Sequence, residues 1–376
     1  MTERSSITSA RRIVIKIGSA ALTGGGDQLD RAYMHDLAAQ FADAITYGRE
    51  VILVSSGAVA AGVKTAGLGK RPTDVAGQQA AAAAGQPLLM ARWHEAFGVR
   101  SRGVAQILVS RTDFDSRDRF LNMRNCIHCL LELGVVPIIN ENDTVATEEI
   151  SLGDNDVLAA KLATAVLADA LIILSTAGGV MDDRNQLIPS APDAESLRRY
   201  VRADKSGQGR GGMTTKLEAA RVASLVGIPT IIAPGRPAGV VGDLLRGDPV
   251  GTYIGQSIAP ADVDRRAGRR VWIALTATPA GTIDVDDGAA NAITQRGASL
   301  LAKGVRGATG RFEVGDVVAV RGPSGEVARG LTNVSSDELR LVMGKDSRDF
   351  DAILGRQSHA EVIHRDNLVT NPRTSV

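Results

Sequence analysis

Near the middle of the chain, Gly207-Gln208-Gly209-Arg210-Gly211-Gly212-Met213-Thr214-Thr215-Lys216 holds four glycines in six positions, directly ahead of helix-forming sequence. Glycines let the backbone turn sharply and come close to a ligand. The spacing of Leu217, Ala219, Ala220, Val222, Ala223 and Leu225 predicts a helix beginning at Lys216, with Thr214 or Thr215 as its cap. A helix N-terminus offers N–H groups and the positive end of the dipole, which suits phosphate oxygens. Lys216 in the first turn opposes the dipole preference and calls for an anion nearby. The stretch reads as a phosphate-binding loop with a phosphate-contacting lysine, or else as a plain surface loop. It is not the Walker pattern, since no G-x-x-x-x-G-K-[ST] occurs.

Other residues could do related chemistry. Lys16 lies inside the apolar run Ile13-Val14-Ile15-Lys16-Ile17, just before Gly18-Ser19. A buried ammonium is costly unless it meets an anion, so Lys16 either reaches a bound phosphate or snorkels from an edge strand. Ser56 and the N–H groups around Gly57 follow the apolar run Val51–Val54 and could hold a carboxylate or phosphate; a tight turn is the alternative. After Val135–Ile139 comes the cluster Asn140-Glu141-Asn142-Asp143-Thr144, and then Gly153-Asp154-Asn155-Asp156 leads into a helix. Such groups position a ligand or knit an Asx-turn network.

These residues need a scaffold that brings strand ends together. The sequence alternates strand and helix: strands at 13–17, 51–54, 104–109, 135–139, 170–174 and 228–232. Helices are expected at 30–47, 59–64, 117–133 and 157–167, with a long Ala-rich helix at 74–97 interrupted near Gly85-Gln86-Pro87. This pattern predicts an α/β fold, a mostly parallel sheet covered by helices on both faces. Ligands in that architecture bind outside the carboxyl ends of the strands, and every polar turn named above falls there or at a helix start. Beyond 256–269, rich in Ala, Pro, Asp and Arg, the pattern shifts to short strands: Gly281–Asp284, Phe312–Val320 and Val362–His364, with one helix near Ala289–Arg296. This is a small β-rich C-terminal domain. The boundaries expected are a polar tail over 1–12, an α/β domain over 13–256, a linker over 257–269, a β-rich domain over 270–366 and a tail over 367–376.

Composition narrows the function classes. The net charge of +1 attracts neither nucleic acid nor membrane as a whole. Residues 270–366 carry 12 Lys+Arg and 13 Asp+Glu, a net of −1, without the basic footprint of a phosphate-backbone binder. No apolar run is long enough for a membrane span, and the N-terminus lacks the features of a signal peptide. With aromatics at only 3%, the core must be built from Ala, Val, Leu and Ile. Cys126 and Cys129 share one helix face and read as buried thiols, with a redox pair as the minor alternative, in a reducing cytoplasm.

The motifs, in order, resemble the amino-acid kinase family, and within it the glutamate kinase branch with a C-terminal PUA domain. They are Lys16-Ile17-Gly18-Ser19, Ser55-Ser56-Gly57-Ala58, Arg119-Phe120-Leu121-Asn122, Ile139-Asn140-Glu141-Asn142-Asp143, Gly153-Asp154-Asn155-Asp156 and Gly211-Gly212-Met213-Thr214-Thr215-Lys216. Asp287-Gly288-Ala289, Ser299-Leu300-Leu301, Gly310-Arg311-Phe312 and Val362-Ile363-His364-Arg365-Asp366 resemble PUA. The resemblance covers nearly the whole chain. It implies ATP-dependent phosphorylation of the glutamate side-chain carboxylate, the first step of proline synthesis. It also implies Mg2+, feedback inhibition by proline, a homo-oligomer and a possible hand-off to the next pathway enzyme.

By motif match, Lys16, Lys216 and Asp156 are the catalytic candidates, with no metal ligand assigned. Ser56, Gly57, Asn140, Asp143 and Asn155 are the glutamate-binding candidates, Asp143 as partner of the α-ammonium. Lys16, Gly18, Ser175, Thr176, Arg210, Gly211, Gly212, Met213, Thr214, Thr215 and Lys216 are the nucleotide-binding candidates. The chain departs from the family pattern at Ser175-Thr176 in place of Thr-Asp and at Gly179-Val180-Met181 in place of Gly-Leu-Tyr. It departs again at Arg210 in place of Thr and at Lys161 in place of a small or apolar residue, all placed on or near the nucleotide side. Two other readings remain at this point: a paralogous kinase of another small acid, and an RNA-binding or regulatory protein with an impaired kinase domain.

Overall fold

The computed structural model describes residues 4–26, 28–145, 154–201, 212–255, 273, 279–354 and 361–370. The chain divides into two compact units, Met1–Val263 and Asp264–Val376.

The first unit is built on β1 (Arg12–Ile17), β2 (Glu50–Ser55), β3 (Val104–Val109), β4 (Val136–Glu141), β5 (Ala170–Ser175), β6 (Ser190–Ala191), β7 (Thr230–Pro234) and β8 (Thr252–Ile254). They form one sheet in the order β3-β4-β2-β1-β5-β7-β8-β6. All pairings are parallel except β7 with β8. Its helices are α1 (Ser5–Thr8), α2 (Ser19–Thr23), α3 (Arg31–Thr46), α4 (Ala58–Gly62), α5 (Val75–Gly98), α6 (Arg111–Asp115), α7 (Arg117–Glu132), α8 (Asp154–Ala165), α9 (Met213–Ser224) and α10 (Val240–Arg246). The sheet matches the mostly parallel α/β expectation. The short strands β6 and β8 are additions, too brief to show a periodicity in sequence.

Side chains alternate across each strand, and this decides which ones meet the site. Ile13, Ile15 and Ile17 of β1 join Leu37, Phe41, Trp93 and Phe97 of α3 and α5 in one buried cluster. Few aromatics are needed because they are concentrated there: the Phe41 and Phe97 rings stack at 6.3 Å, and Trp93 lies 6.0 Å from Phe97. Lys16 projects from the opposite face of β1, toward α8. On that face Ala159, Ala160 and Ala163 of α8 and Ala219, Ala220 and Ala223 of α9 are buried, small enough to let both helices approach the sheet and each other.

Helix α5 runs unbroken through Pro87, where the sequence predicts an interruption. Proline removes one N–H and frees the carbonyl four residues back. That carbonyl belongs to the exposed Ala83, so water can satisfy it. The glycine beside it has another use. A Cβ on Gly85 would lie 1.9 Å from the Ala58 oxygen, and one on Gly62 would lie 1.8 Å from the Ala81 oxygen. α4 and α5 therefore cross backbone to backbone.

Other expectations need correction. Cys126 and Cys129 are exposed, not buried. The inward stripe of α7 is Phe120, Met123 and Ile127, and both thiols fall outside it. The N-cap of α9 is Gly212, with no side-chain cap, in place of Thr214 or Thr215. Among the described residues no helix is long and apolar enough to cross a membrane.

The second unit holds a five-stranded sheet of β9 (Gly281–Val285), β10 (Val305–Gly310), β11 (Val317–Gly322), β12 (Gly325–Leu331) and β13 (Leu368–Thr370), in the order β10-β9-β11-β12-β13. Helices α11 (Asp287–Arg296), α12 (Ser336–Val342) and α13 (Phe350–Leu354) accompany it. Its own core includes Ile283, Phe312, Val318, Val320, Leu339 and Phe350. The expected strand from Phe312 starts only at Val317, because Gly315 adopts a positive φ of 93° and the Glu313 N–H turns back to Asp316. At Val362–His364 there is a single bridge, Leu300 to Ile363, and the strand lies beyond it at β13.

Candidate active site

From β1 the chain goes to β2, β3 and β4 on one side and then crosses to β5 and β7 on the other side of β1. That is the switch point at which an open parallel sheet forms a crevice. Lys16 and Gly18 belong to the carboxyl end of β1, and the first turns of α8 and α9 end above it.

Asp156, fully enclosed in the first turn of α8, gathers both lysines. Lys16 Nζ is 2.6 Å from its Oδ1 and Lys216 Nζ is 3.1 Å from its Oδ2. The Lys16 contact is the shorter of the two, a close charged pair between enclosed groups. Thr215 Oγ1 stands 3.1 Å from Asp156 Oδ2 and 2.9 Å from the Gly212 carbonyl. Burial lowers the Lys16 pKa; Asp156 opposes that effect and Lys216 adds to it. Burial alone would raise the Asp156 pKa, but the two ammonium groups outweigh it and hold the carboxyl below its usual range. One carboxylate against two ammonium groups leaves a net positive charge in a site with little water, which is what an anion needs. Gly18 lies beside this corner: a Cβ there would make an ordinary contact with Lys16 Nζ at 3.7 Å.

Across β1, the ends of β2 and β4 carry a different kind of site, made of neutral amides and hydroxyls. The Trp93 indole N–H donates to Ser55 Oγ at 2.9 Å, and Ser55 donates to the Ser56 carbonyl at 3.1 Å. Gly57 then takes a φ of 111°, where other residues would be strained. Asn155 Nδ2 donates to Ser56 Oγ at 2.8 Å and to Asn140 Oδ1 at 3.1 Å. Asn155 Oδ1 is buried and has no partner among the described residues. Asp143, three residues beyond Asn140, lies in a single 3-10 turn over Asp143–Val145 that packs on α5. Burial pushes its carboxyl up to about 6, against the opposing charge of Arg71.

The structure thus joins Lys16, Asp156, Thr215 and Lys216 in one cluster and Ser56, Asn140 and Asn155 in another. Toward β5, Ser175 is buried and its Oγ accepts from the Ala177 N–H at 3.2 Å, while Thr176 is exposed. Gly212 and Met213 open α9 half-buried, and Thr214 is exposed. Arg210, Gly211 and Gly153 lie outside the described residues. Lys161 does not join the lysine cluster: its ammonium lies 5.7 Å from the Phe114 ring centroid, over α6, which follows the edge strand β3. Gln86 and Trp93 touch site residues and escaped the sequence reading, since nothing marks a Gln or a Trp in a long helix as facing a strand end.

A family model described as the amino acid kinase family matches residues 11–234, and one described as the PUA domain matches residues 281–354. A glutamate 5-kinase of Thermus thermophilus is 44% identical over 366 residues, 96% of this chain and 97% of that protein. The glutamate 5-kinase of Methylococcus capsulatus is 43% identical over 377 residues, 98% and 100% of the two chains. That of Cronobacter sakazakii is 40% identical over 372 residues, 97% and 100% of the two. The likeness therefore spans both units.

Proposed function

We infer that this chain, which belongs to the glutamate 5-kinase group of the amino acid kinase family, transfers the γ-phosphoryl group of ATP to the side-chain carboxylate of glutamate, the first step of proline biosynthesis. One observation supports the chemistry above all others: Lys16 and Lys216, 200 residues apart in sequence, share the carboxylate of Asp156 at the carboxyl end of β1.

The reaction asks for charge control more than proton transfer. The acceptor is ionised at neutral pH, so it needs no general base. Its oxygen forms a bond to the γ-phosphorus, the bond from that phosphorus to the bridging oxygen breaks, and ADP leaves. Two anions must come together, and positioned cations and N–H groups lower that barrier. In this reading Lys16 and Lys216 neutralise the moving phosphoryl group, and Asp156 aims them. Gly18, Ser175, Thr176, Arg210, Gly211, Gly212, Met213, Thr214 and Thr215 line the nucleotide side. Ser56, Gly57, Asn140, Asp143 and Asn155 hold glutamate.

The expected Mg2+ is not matched by a cage of protein ligands. Among the described residues no three His, Cys, Asp or Glu side chains cluster, and both oxygens of Asp156 face ammonium groups. The described residues do not build a site for it, and it enters here only as the counter-ion of the nucleotide substrate. The same proposal gives residues 13–256 to the kinase domain and 270–366 to the PUA domain, joined by 257–269 and flanked by the tails 1–12 and 367–376. It sets the enzyme in the cytoplasm as a homo-oligomer, with proline as feedback inhibitor.

Trapping tests the reading. With ATP, magnesium, glutamate and hydroxylamine the protein should form γ-glutamyl hydroxamate, and aspartate or N-acetylglutamate should give far less. Absence of hydroxamate with glutamate, or an equal yield with another acid, would refute it.

A further inference from the structure

The acid-holding side contains a residue with no role so far. Gln86 of α5 reaches the end of β4, where its Oε1 accepts from Asn140 Nδ2 at 2.9 Å. Its Nε2 donates to Gln106 Oε1 of β3 at 3.1 Å. The direction of this chain of amides is fixed from one end. The backbone N–H of Glu141 donates to Asn140 Oδ1 at 2.9 Å. A backbone N–H cannot reverse, so it favours the Asn140 oxygen facing it and the Asn140 amine facing outward. An acceptor at that outward position locks the arrangement. With Asn140 Oδ1 turned in, Asn155 has to present its amine to Asn140 and Ser56. Among the described residues its oxygen is then left buried without a donor, and the Ser56 hydroxyl proton has no acceptor.

The backbone of Gln86 is held just as firmly. Gly85, next to it, presses on α4 at Ala58 and Gly62, and α4 follows directly on Ser56-Gly57. A closed circuit results: Ser56 leads through α4 to Gly85, then through the Gln86 side chain to Asn140, to Asn155 and back to Ser56. Side chains fixed in this way are preorganised, so little is lost when a ligand binds.

We propose that Gln86 is a positioning residue for acceptor specificity, holding the Asn140–Asn155–Ser56 relay in the one polarity that offers an acceptor at Asn155 Oδ1 beside a donor at Ser56. This pair fits the ammonium and carboxylate of an α-amino acid. If Asn140 reverses, the Asn155 amide can reverse with it, and the pair no longer matches. The inference rests on the function proposed above.

The test compares Gln86→Met, which removes the acceptor, with Gln86→Glu, which keeps it toward Asn140, and with Gln106→Met, which cuts only the outermost link. Hydroxamate formation gives KM for glutamate and for ATP in each, and thermal unfolding gives Tm. Gln86→Met should raise the glutamate KM about tenfold, the size expected for one oriented hydrogen bond. The ATP KM and the Tm should hardly move. Gln86→Glu should recover most of the loss, and Gln106→Met should stay within about twofold of the parent. Equal rises in Gln86→Met and Gln86→Glu, a parallel rise in the ATP KM, or an unchanged glutamate KM in Gln86→Met would overturn the proposal while leaving the function intact. A parent protein that makes no hydroxamate would overturn both.

Discussion

The two sides of the crevice are built by different means, and the proposed function gives each an anionic group to hold. The side above β2 and β4 uses uncharged amides and hydroxyls joined in a ring, where each group's direction is dictated by its neighbour. The side above β1 and α9 uses full charges, with two ammonium groups on one enclosed carboxylate. Direction matters most for telling one small acid from another. Charge matters most for a phosphoryl group that passes between oxygens and has no single orientation to recognise. In the proposed function, recognition and chemistry are segregated between these two sides, and mutations should separate them.

The sharpest break is Asp156→Asn. Two buried ammonium groups would face each other without a counter-charge, and losing one partner of a buried pair costs ~3–5 kcal/mol. Urea unfolding should show that loss together with turnover reduced to background. Next come Lys16→Ala and Lys216→Ala. Each should lower kcat ~10²–10³-fold, the effect of one preorganised charge or donor, while the glutamate KM changes far less. A rise in glutamate KM with kcat preserved in both variants would dissolve the division between the two sides.

Gly85→Ala probes the other side. Its Cβ would sit 1.9 Å from the Ala58 oxygen, so α4 and α5 must part. Stability should fall by ~1–3 kcal/mol, as for overpacking, and the glutamate KM should rise more than the ATP KM.

The smallest effect is one of pH. Burial holds the Asp143 carboxyl at about 6, above its ordinary 3.8. The folded state therefore takes up a proton between those values that the unfolded chain does not, and this group adds stability as pH falls from neutrality toward 4. Pairing with an ammonium needs the ionised form, so glutamate affinity should fall several-fold over the same range. Asp143→Asn should flatten both slopes. A glutamate KM that is level between pH 7 and 5 in the parent protein would remove Asp143 from the ligand.

How much of this was legible in the sequence differs between the sides. Lys16 stood out because an ammonium in an apolar strand demands an anion, and Lys216 because it follows a glycine run at a helix start. Chain position alone put both at the same edge of the sheet, but their common partner, Asp156, required the fold. The amide ring was half visible. Asn140 and Asn155 sit at strand and helix ends, where polar groups draw notice. Gln86 is 54 residues from Asn140 and lies in a helix whose composition speaks only of packing. Its role depends on the direction of one backbone N–H, which residue types cannot reveal. The same limit explains Cys126 and Cys129: i, i+3 spacing identifies a shared face but not the one that turns inward.

Asn155 and Asp156 are neighbours in the first turn of α8, yet the former completes the amide ring and the latter aims the two lysines. In the proposed function a single trans peptide unit, with its ~3.8 Å between α-carbons, therefore acts as a covalent ruler between acceptor and donor. A change elsewhere in the site leaves that interval as it is. Any variant enzyme tuned to a longer or shorter acid would have to adjust at the far end of the pocket, not at this joint.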